Sequence, residues 1–140
     1  MGDLVILDGD QAMFLPAFGP ALVAVQPGKI AGTGSATAHG KAICVAGDEA
    51  SVSVPGCAYV MGAFVGGTGT LTIQALGPDQ LARKTTNGKP PILKGAQFIA
   101  KFAVVKAAEM PTPKGPEADP VATYVGQGSF VTTNTTVTAS

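Results

Sequence analysis

Charged side chains are scarce in this chain of 140 residues, since only 13% of them are Asp, Glu, Lys or Arg. Soluble domains usually carry about twice that share. The nine basic and nine acidic residues also balance, which argues against a surface for nucleic acid or an anionic membrane. With so little charge to cover a small domain, we expect apolar surface to stay exposed until a partner covers it. The alternative is a soluble monomer rich in Ala, Gly and Thr.

Tryptophan is absent and histidine occurs once, at His39. A single histidine excludes a site built from two or more histidines of one chain. Ser35, His39 and Asp48 could form a hydrolytic triad on paper, but Ser35 lacks the strand–turn–helix context of such a nucleophile. We therefore expect no enzyme.

No apolar run reaches the roughly 18 residues that span a bilayer, so we expect no membrane-spanning segment. The first residues have no basic stretch and only a short apolar run, which predicts no signal peptide and synthesis in the cytoplasm. The only cysteines are Cys44 and Cys57. In a reducing compartment they are expected to be buried thiols and not a disulfide.

Glycine and proline are abundant, with nineteen and eleven copies. Between them lie short runs rich in Val, Ile, Thr and Phe, which is typical of an all-β fold of short strands and hairpins joined by Gly/Pro turns. At most one short helix is predicted, over 78–84, where an acidic start and a basic end suit the helix dipole. The predicted strands are 3–7, 21–25, 41–45, 50–54, 58–60, 70–76, 91–93, 98–105, 122–125 and 130–138.

Several glycine-rich stretches are read as turns. Gly66-Gly67-Thr68-Gly69 has no Lys-Ser/Thr sequel, so a hairpin turn is preferred to a phosphate loop. A second hairpin is predicted around Gly126-Gln127-Gly128, and a tight turn at Asn87-Gly88. The run 98–104 is mostly apolar, as expected of a strand that is covered on both faces.

A weak internal repeat is present. Residues 40–48 and 88–96 both begin with Gly-Lys, continue through a short apolar run and reach a glycine turn. Residues 27–32 are a candidate for a third, shorter copy. Such copies could build a pseudo-symmetric stack of hairpins, although Gly-Lys is also a common turn dipeptide.

The composition of the sequence changes after Met110. Residues 111–120 hold four prolines and are expected to form a stiff, extended connector. The Thr-rich end beyond them has high β propensity but little apolar content. We therefore expect a compact β domain over 1–110, followed over 111–140 by a Pro-rich connector and a C-terminal hairpin or tail.

Three residues could hold a metal. His39, Cys44 and Cys57 offer three ligands to zinc, with Asp48 or a water as the fourth. Their spacing fits no common zinc motif, and the alternative is a turn histidine with two buried cysteines. Asp3, Asp8 and Asp10 could bind a hard cation, but Asp8-Gly9-Asp10 is first a turn signature.

From Thr37 to Asp48 the sequence resembles the PAAR-like proteins, which form the spike tip of contractile injection systems such as type VI secretion and phage-tail-like particles. The likeness lies in the His39-Gly40 turn, in the short strand that follows and in the ending Gly47-Asp48. It covers about 36–76, with a weaker continuation through 88–95. The Pro-Ala-Ala-Arg tetrapeptide and the further histidines of that family are absent.

The resemblance implies a structural protein of which one copy caps three identical spike chains. It also implies that the C-terminal segment lies along the spike or carries effector cargo, with 111–120 as the joint. Cys57 matches the cysteine that completes a metal site in the family. The protein would be made in the cytoplasm, assembled into a particle and ejected with it.

Two other functions are kept as alternatives. One is a self-associating decoration or baseplate protein of a phage-like particle. The other is a small β-sandwich module that binds a ligand such as a carbohydrate, which is disfavoured because only Tyr59 and Tyr124 could stack on a sugar.

Overall fold

A computed structural model describes residues 3–82, 89–134 and 136–139, and these are almost entirely β. The single helical element among them is a 3₁₀ turn, Asp48–Ser51. The strands are β1 (Asp3–Leu4), β2 (Gln11–Phe14), β3 (Ala17–Phe18), β4 (Ala21–Val23), β5 (Gly28–Lys29), β6 (Thr37–Ala38), β7 (Lys41–Ala42), β8 (Ser53–Met61), β9 (Phe64–Ala75), β10 (Phe98–Lys106), β11 (Glu109–Met110), β12 (Glu117–Ala118), β13 (Thr123–Val131) and β14 (Thr138–Ala139).

The largest sheet is antiparallel and has the strand order β3-β4-β8-β9-β10-β13-β2-β5, with β11 and β12 attached beside β9. It curls on itself, because β2 and β3 lie near opposite ends of this order and yet are joined by only two residues, Leu15 and Pro16. The pairs β1–β14 and β6–β7 form two further sheets of two strands each. The fold class predicted from the sequence is confirmed.

Aromatic residues fill the inside of the curled sheet. Of the eight in the chain, only Phe64 stays outside the buried core cluster. Phe98 contacts both Phe14 and Phe130, with ring centroids 5.6 and 5.0 Å apart. Tyr59 packs edge-on against Phe102 at 5.2 Å. Such contacts add to the free energy gained by burying the rings.

Glycines within the long strands make room for these rings. A Cβ on Gly126 would lie 2.7 Å from the ring of Phe18, and one on Gly128 would lie 2.5 Å from the ring of Phe98. Gly67 and Gly69 of β9 are likewise covered, by Tyr59 and Phe102. The hairpin turns predicted at 66–69 and 126–128 are therefore wrong, since both stretches are continuous strand.

Other expectations need smaller corrections. The turn between β8 and β9 lies at Gly62, which has a φ of 60°. The helix predicted over 78–84 is a turn and a bridge up to residue 82; the rest of it, and the turn at Asn87-Gly88, lie outside the described residues. The 98–105 strand is confirmed by β10, but its residues alternate between buried and accessible, so one face is open. Strands β2, β3, β5, β6, β11 and β12 were not among the predicted strands.

The segment after Met110 contributes to the centre of the sheet. β13 pairs with β10 on one side and with β2 on the other, so residues 123–131 lie in the same sheet as strands from the first 110 residues. The reason is that Tyr124 and Phe130 bring core side chains. The Pro-rich stretch itself contains the β12 strand and a turn held by Thr112 and Gly115.

A buried carboxylate fastens this segment to the sheet. Asp119 accepts hydrogen bonds from the hydroxyls of Tyr59 (2.8 Å) and Tyr124 (2.6 Å) and from the Val121 N–H (3.0 Å). Burial alone would raise the pKa of Asp119, but these donors outweigh it and hold the pKa below its ordinary value. Burial, and then Asp119, raise the pKa of Tyr124.

Candidate functional site: a cyclic unit of three short strands

Three short segments meet in a closed ring at one end of the curled sheet. Each contributes a central residue that donates its N–H to one neighbour and accepts from the other. The bonds run from Ile6 N to Ile92 O, from Ile92 N to Cys44 O and from Cys44 N to Ile6 O, each at 2.9 Å. No strand of the ring has a free edge on this side, because the third bond returns to the first strand.

A second set of main-chain bonds repeats the same rotation. It joins Asp8 N to Ala42 O (2.8 Å), Ala46 N to Pro90 O (2.9 Å) and Lys94 N to Leu4 O (2.8 Å). The bridges Val5↔Leu93, Leu7↔Ile43 and Val45↔Pro91 complete the pattern. Residues 3–10, 41–48 and 89–96 are therefore three equivalent copies, which we call the threefold unit.

The repeat predicted from the sequence is confirmed for two copies and wrong for the third. Residues 41–48 and 89–96 take equivalent places in the ring, in the register in which their sequences align. The third copy is 3–10 and not 27–32, where β5 pairs with β2 instead. Glycines with positive φ follow each copy's strand, at Gly9 (85°), Gly47 (101°) and Gly95 (53°).

Within the described residues, two arms extend from the ring strands at the ends that lead away from the large sheet. One is the β6–β7 hairpin, whose turn residues His39 and Gly40 have φ of 53° and 76°. The other is the β1–β14 pair, in which the two chain ends take the place of that hairpin. His39 Nε2 lies 2.9 Å from Thr136 Oγ1 and so connects the two arms.

Each copy of the threefold unit ends in a turn at Gly9, Gly47 or Gly95, which we call a corner. At two of these three corners a carboxylate accepts hydrogen bonds from the main chain. Asp48 Oδ2 accepts from the N–H groups of Val45 (2.8 Å) and Thr33 (2.9 Å), and its other oxygen accepts from the Thr33 hydroxyl at 2.6 Å. Asp10 does the same in its copy, where Leu7 N–H donates at 2.7 Å and the Thr132 hydroxyl also donates. Both carboxylates are buried.

The third corner is built differently, because Ala96 stands where the other copies have aspartate. Leu93 N–H donates to the main-chain oxygen of Gln80 instead, at 2.9 Å. The buried Gln80 side chain also donates to the Lys94 carbonyl at 3.1 Å. Asp79 accepts from the Ala96 N–H at 3.0 Å.

The three predicted metal ligands do not come together. Cys44 is fully buried at the centre of the second ring strand, whereas His39 is exposed at the tip of its arm. Cys57 is buried in β8 and its Sγ lies 3.6 Å from the Val54 carbonyl. Within residues 3–82, 89–134 and 136–139, no group of three His, Cys, Asp or Glu side chains could hold a metal.

The thiols are also held in their neutral form. Burial, followed by the nearby Asp48, Asp10 and Asp8, raises the pKa of the Cys44 thiol far above its ordinary value. Burial raises the pKa of Cys57. Both cysteines belong to the buried core cluster and pack against its apolar side chains.

Sequence reasoning missed the roles of Asp10 and Asp48 at the corners. The signal was present in Gly9-Asp10 and Gly47-Asp48, each of which follows an apolar run by one residue. Asp-Gly-Asp was correctly read as a turn signature, but the partners of each carboxylate lie elsewhere in the chain, at Thr33 and Thr132.

The described residues thus form a curled antiparallel sheet that ends in a cyclic unit held by main-chain hydrogen bonds. The sequence matches the family of contractile injection system spike tip proteins over residues 1–140. No curated protein matches it. In the described part of the chain, no helix has the length and apolarity to cross a membrane.

The chain therefore belongs to the contractile injection system spike tip family. This confirms the resemblance drawn from residues 37–48. The family is a structural component of these particles, so the partners of the chain are spike or other particle subunits.

Proposed function

We propose that one copy of this protein caps a trimeric spike by placing the threefold unit against the end of the three spike chains. The cyclic hydrogen bonds of residues 3–10, 41–48 and 89–96 carry this proposal. A trimer presents the same surface three times around its axis. A single chain can meet all three surfaces at once only if it offers three similar contact points, and the three copies supply them.

The arms are the part of the unit that faces the spike in this proposal. Each ring strand is followed by residues that lead into the large sheet, to β2 after Asp10, to β8 after the 3₁₀ turn and to β10 after Ala96. The sheet therefore occupies one side of the ring. The arms lie before the ring strands, on the side that the sheet leaves open.

The role is structural and includes no catalysis. The single histidine is engaged with Thr136, and the pKa values of both thiols are raised, which supports this part of the proposal. Synthesis in the cytoplasm, ejection with the particle and carriage of an effector follow from the same role. A zinc ion held by His39, Cys44 and Cys57 stays a prediction of the family resemblance, and metal analysis of protein purified without chelator tests it.

The stoichiometry of a complex with purified trimeric spike protein tests the proposal. Native mass spectrometry should detect one tip for three spike chains. Lys41→Glu reverses a charge on the β6–β7 arm and should weaken the complex. Lys114→Glu is the matched control, since it makes the same charge reversal at an exposed turn between β11 and β12. β11 pairs with β9 at Val65, next to the first residue of that strand. Three tips per trimer, or no complex with the unaltered protein, would refute the capping role.

A further inference from the structure

Each strand of the ring also has an outer neighbour, bonded to the residues next to those that make the ring bonds. The three outer segments are 34–38, 80–82 and 136–139. In the second copy the Ile43 N–H donates to the Ala36 carbonyl at 3.0 Å, and in the first copy the Val5 N–H donates to the Val137 carbonyl at 3.1 Å. The threefold rotation of the ring therefore extends to the segments around it.

One bond of this outer layer is made by a side chain. The carbonyl in the place of Val5 accepts from the Gly34 N–H in the second copy (2.9 Å) and from the Ala82 N–H in the third copy (3.0 Å). In the first copy the Val5 carbonyl accepts from the side-chain amide of Asn134 instead, at 2.9 Å. Asn134 therefore supplies from its side chain what the other two copies obtain from the main chain.

The Asn134 amide uses its whole bonding capacity. Its Nδ2 donates to the carbonyls of Val5 (2.9 Å) and Val137 (2.7 Å). Its Oδ1 accepts from the N–H groups of Thr136 (3.1 Å) and Val137 (2.9 Å). A carboxamide has two donor hydrogens and one acceptor oxygen with two lone pairs, and this one is fully buried. An aspartate at this position would keep the acceptor but lose both donors.

These bonds bring Val137 to the point where the three copies meet. Val137 packs against a small cluster of Val5, Ala82 and Leu93, with Ile43 beside it. The cluster takes one side chain from each copy of the threefold unit and one from each of two outer segments. Asn134 therefore fixes the outer segment 136–139 relative to all three copies.

The β1–β14 arm is built from the same segment. β14 pairs with β1 and begins at Thr138, directly after Val137. Thr136 Oγ1 lies 2.9 Å from Nε2 of His39, in the turn of the β6–β7 arm. That arm is held together by its own hairpin turn, whereas β1 and β14 are the first and last strands and no turn joins them. The place of the β1–β14 arm thus depends on the bonds that precede it.

We propose that Asn134 is the positioning residue of the spike contact, because its amide places the β1–β14 arm relative to the β6–β7 arm. This rests on the capping role proposed above. A trimer holds three identical surfaces at fixed positions around one axis, so the tip meets them together only while its arms keep matching positions. Contacts made together strengthen one another, since each keeps the next pair of surfaces close. A displaced β1–β14 arm therefore weakens the whole complex and not only its own contact.

Asn134→Asp tests the inference in a titration with purified trimeric spike protein. The variant loses both donated bonds and should raise the Kd of the complex about tenfold or more. Asp119→Asn is the control, since it makes the reverse exchange at another buried residue, which lies before β13 whereas Asn134 lies after it. This control should also lower the unfolding midpoint in urea, because Asp119 accepts from two tyrosine hydroxyls. It should leave the Kd within about twofold.

Hydrogen exchange distinguishes a displaced arm from a loss of overall stability. In Asn134→Asp the amides of β1 and β14 should exchange faster than in the unaltered protein, while those of β9 and β10 stay protected. Should this variant fail to fold, Thr136→Val takes its place, because it removes only the contact with His39 from an exposed residue. It should raise the Kd about threefold. Thr123→Val, at the exposed first residue of β13, is its matched control.

The outcomes separate this inference from the capping role. If Asn134→Asp caps the trimer with an unchanged Kd, the inference is wrong and the capping role stands. If Asn134→Asp and Asp119→Asn raise the Kd equally, both act through overall stability and the inference is overturned as well. Unchanged exchange in β1 and β14 would also contradict it. If the unaltered tip binds no trimer, the capping role itself fails.

Discussion

Replacing Asp48 should destabilise the protein, because its carboxylate satisfies the donors at one corner of the threefold unit. In Asp48→Ala the N–H of the buried Val45 loses its acceptor, and the N–H and hydroxyl of Thr33 lose theirs. An unsatisfied buried donor costs about 1–3 kcal/mol, and bonds to a charged acceptor lie at the upper end of that range. Thr33 is exposed, so water replaces much of what it loses.

These terms give an expected loss of about 2–4 kcal/mol for Asp48→Ala, out of the roughly 5–15 kcal/mol that keep a domain folded. In urea, with a slope of about 2 kcal/mol per M, the unfolding midpoint should fall by about 1–2 M. Asp48→Asn keeps one acceptor oxygen but turns a second donor toward an N–H group. It should therefore lose about half as much.

The unfolding can be followed by tyrosine fluorescence, because the chain has no tryptophan and both of its tyrosines are buried in the core. Glu49→Ala is the matched control. Its carboxylate accepts from the Gly47 N–H at 2.7 Å in an exposed turn, so its removal should cost about 0.5 kcal/mol. Equal midpoints for Asp48→Ala and Glu49→Ala would refute the view that the carboxylate closes the corner.

Three further results are expected. Gly128→Ala should destabilise the fold by about 1–3 kcal/mol because its Cβ would lie 2.5 Å from the Phe98 ring. The melting temperature of this variant is compared with that of the control Ser129→Ala, and equal melting temperatures would contradict the expectation. Cys44 and Cys57 should resist alkylation at neutral pH and react only in denaturant, since burial raises both pKa values; rapid labelling of the folded protein would count against that packing. Burial, and then Asp119, raise the pKa of Tyr124, so stability should be complete below the unfolded pKa of about 10 and should fall as pH rises above it. Tyrosinate absorbance should therefore appear together with unfolding, and ionisation before unfolding would refute this.

The class of fold could be predicted from the sequence, but the function of its glycines could not. A glycine between β-formers indicates a turn or a close contact equally well. Gly67 and Gly126 are strand residues only because the rings of Tyr59 and Phe18 lie over them. Those rings come from other strands, and neither stretch of sequence indicates which distant strand will pair with it.

Only two of the three copies in the threefold unit could be recognised from the sequence, for a related reason. The copies at 40–48 and 88–96 share their opening Gly-Lys, while the copy at 3–10 has Asp3 in place of lysine. What the three share in full is the main-chain bonding of Ile6, Cys44 and Ile92, which places no demand on side-chain identity beyond an apolar residue. A repeat defined by its backbone leaves only a faint trace in the sequence.

The surface of the folded chain has fewer charged side chains than the composition alone suggests. Three of the nine acidic residues, Asp10, Asp48 and Asp119, are buried as acceptors for main-chain and hydroxyl donors. Six carboxylates remain for the rest of the chain, while large apolar side chains such as Leu22, Ile99 and Val125 are 58%, 41% and 51% exposed. A monomer in water gains nothing from that arrangement, whereas a subunit that meets others in a particle gains the free energy of covering it.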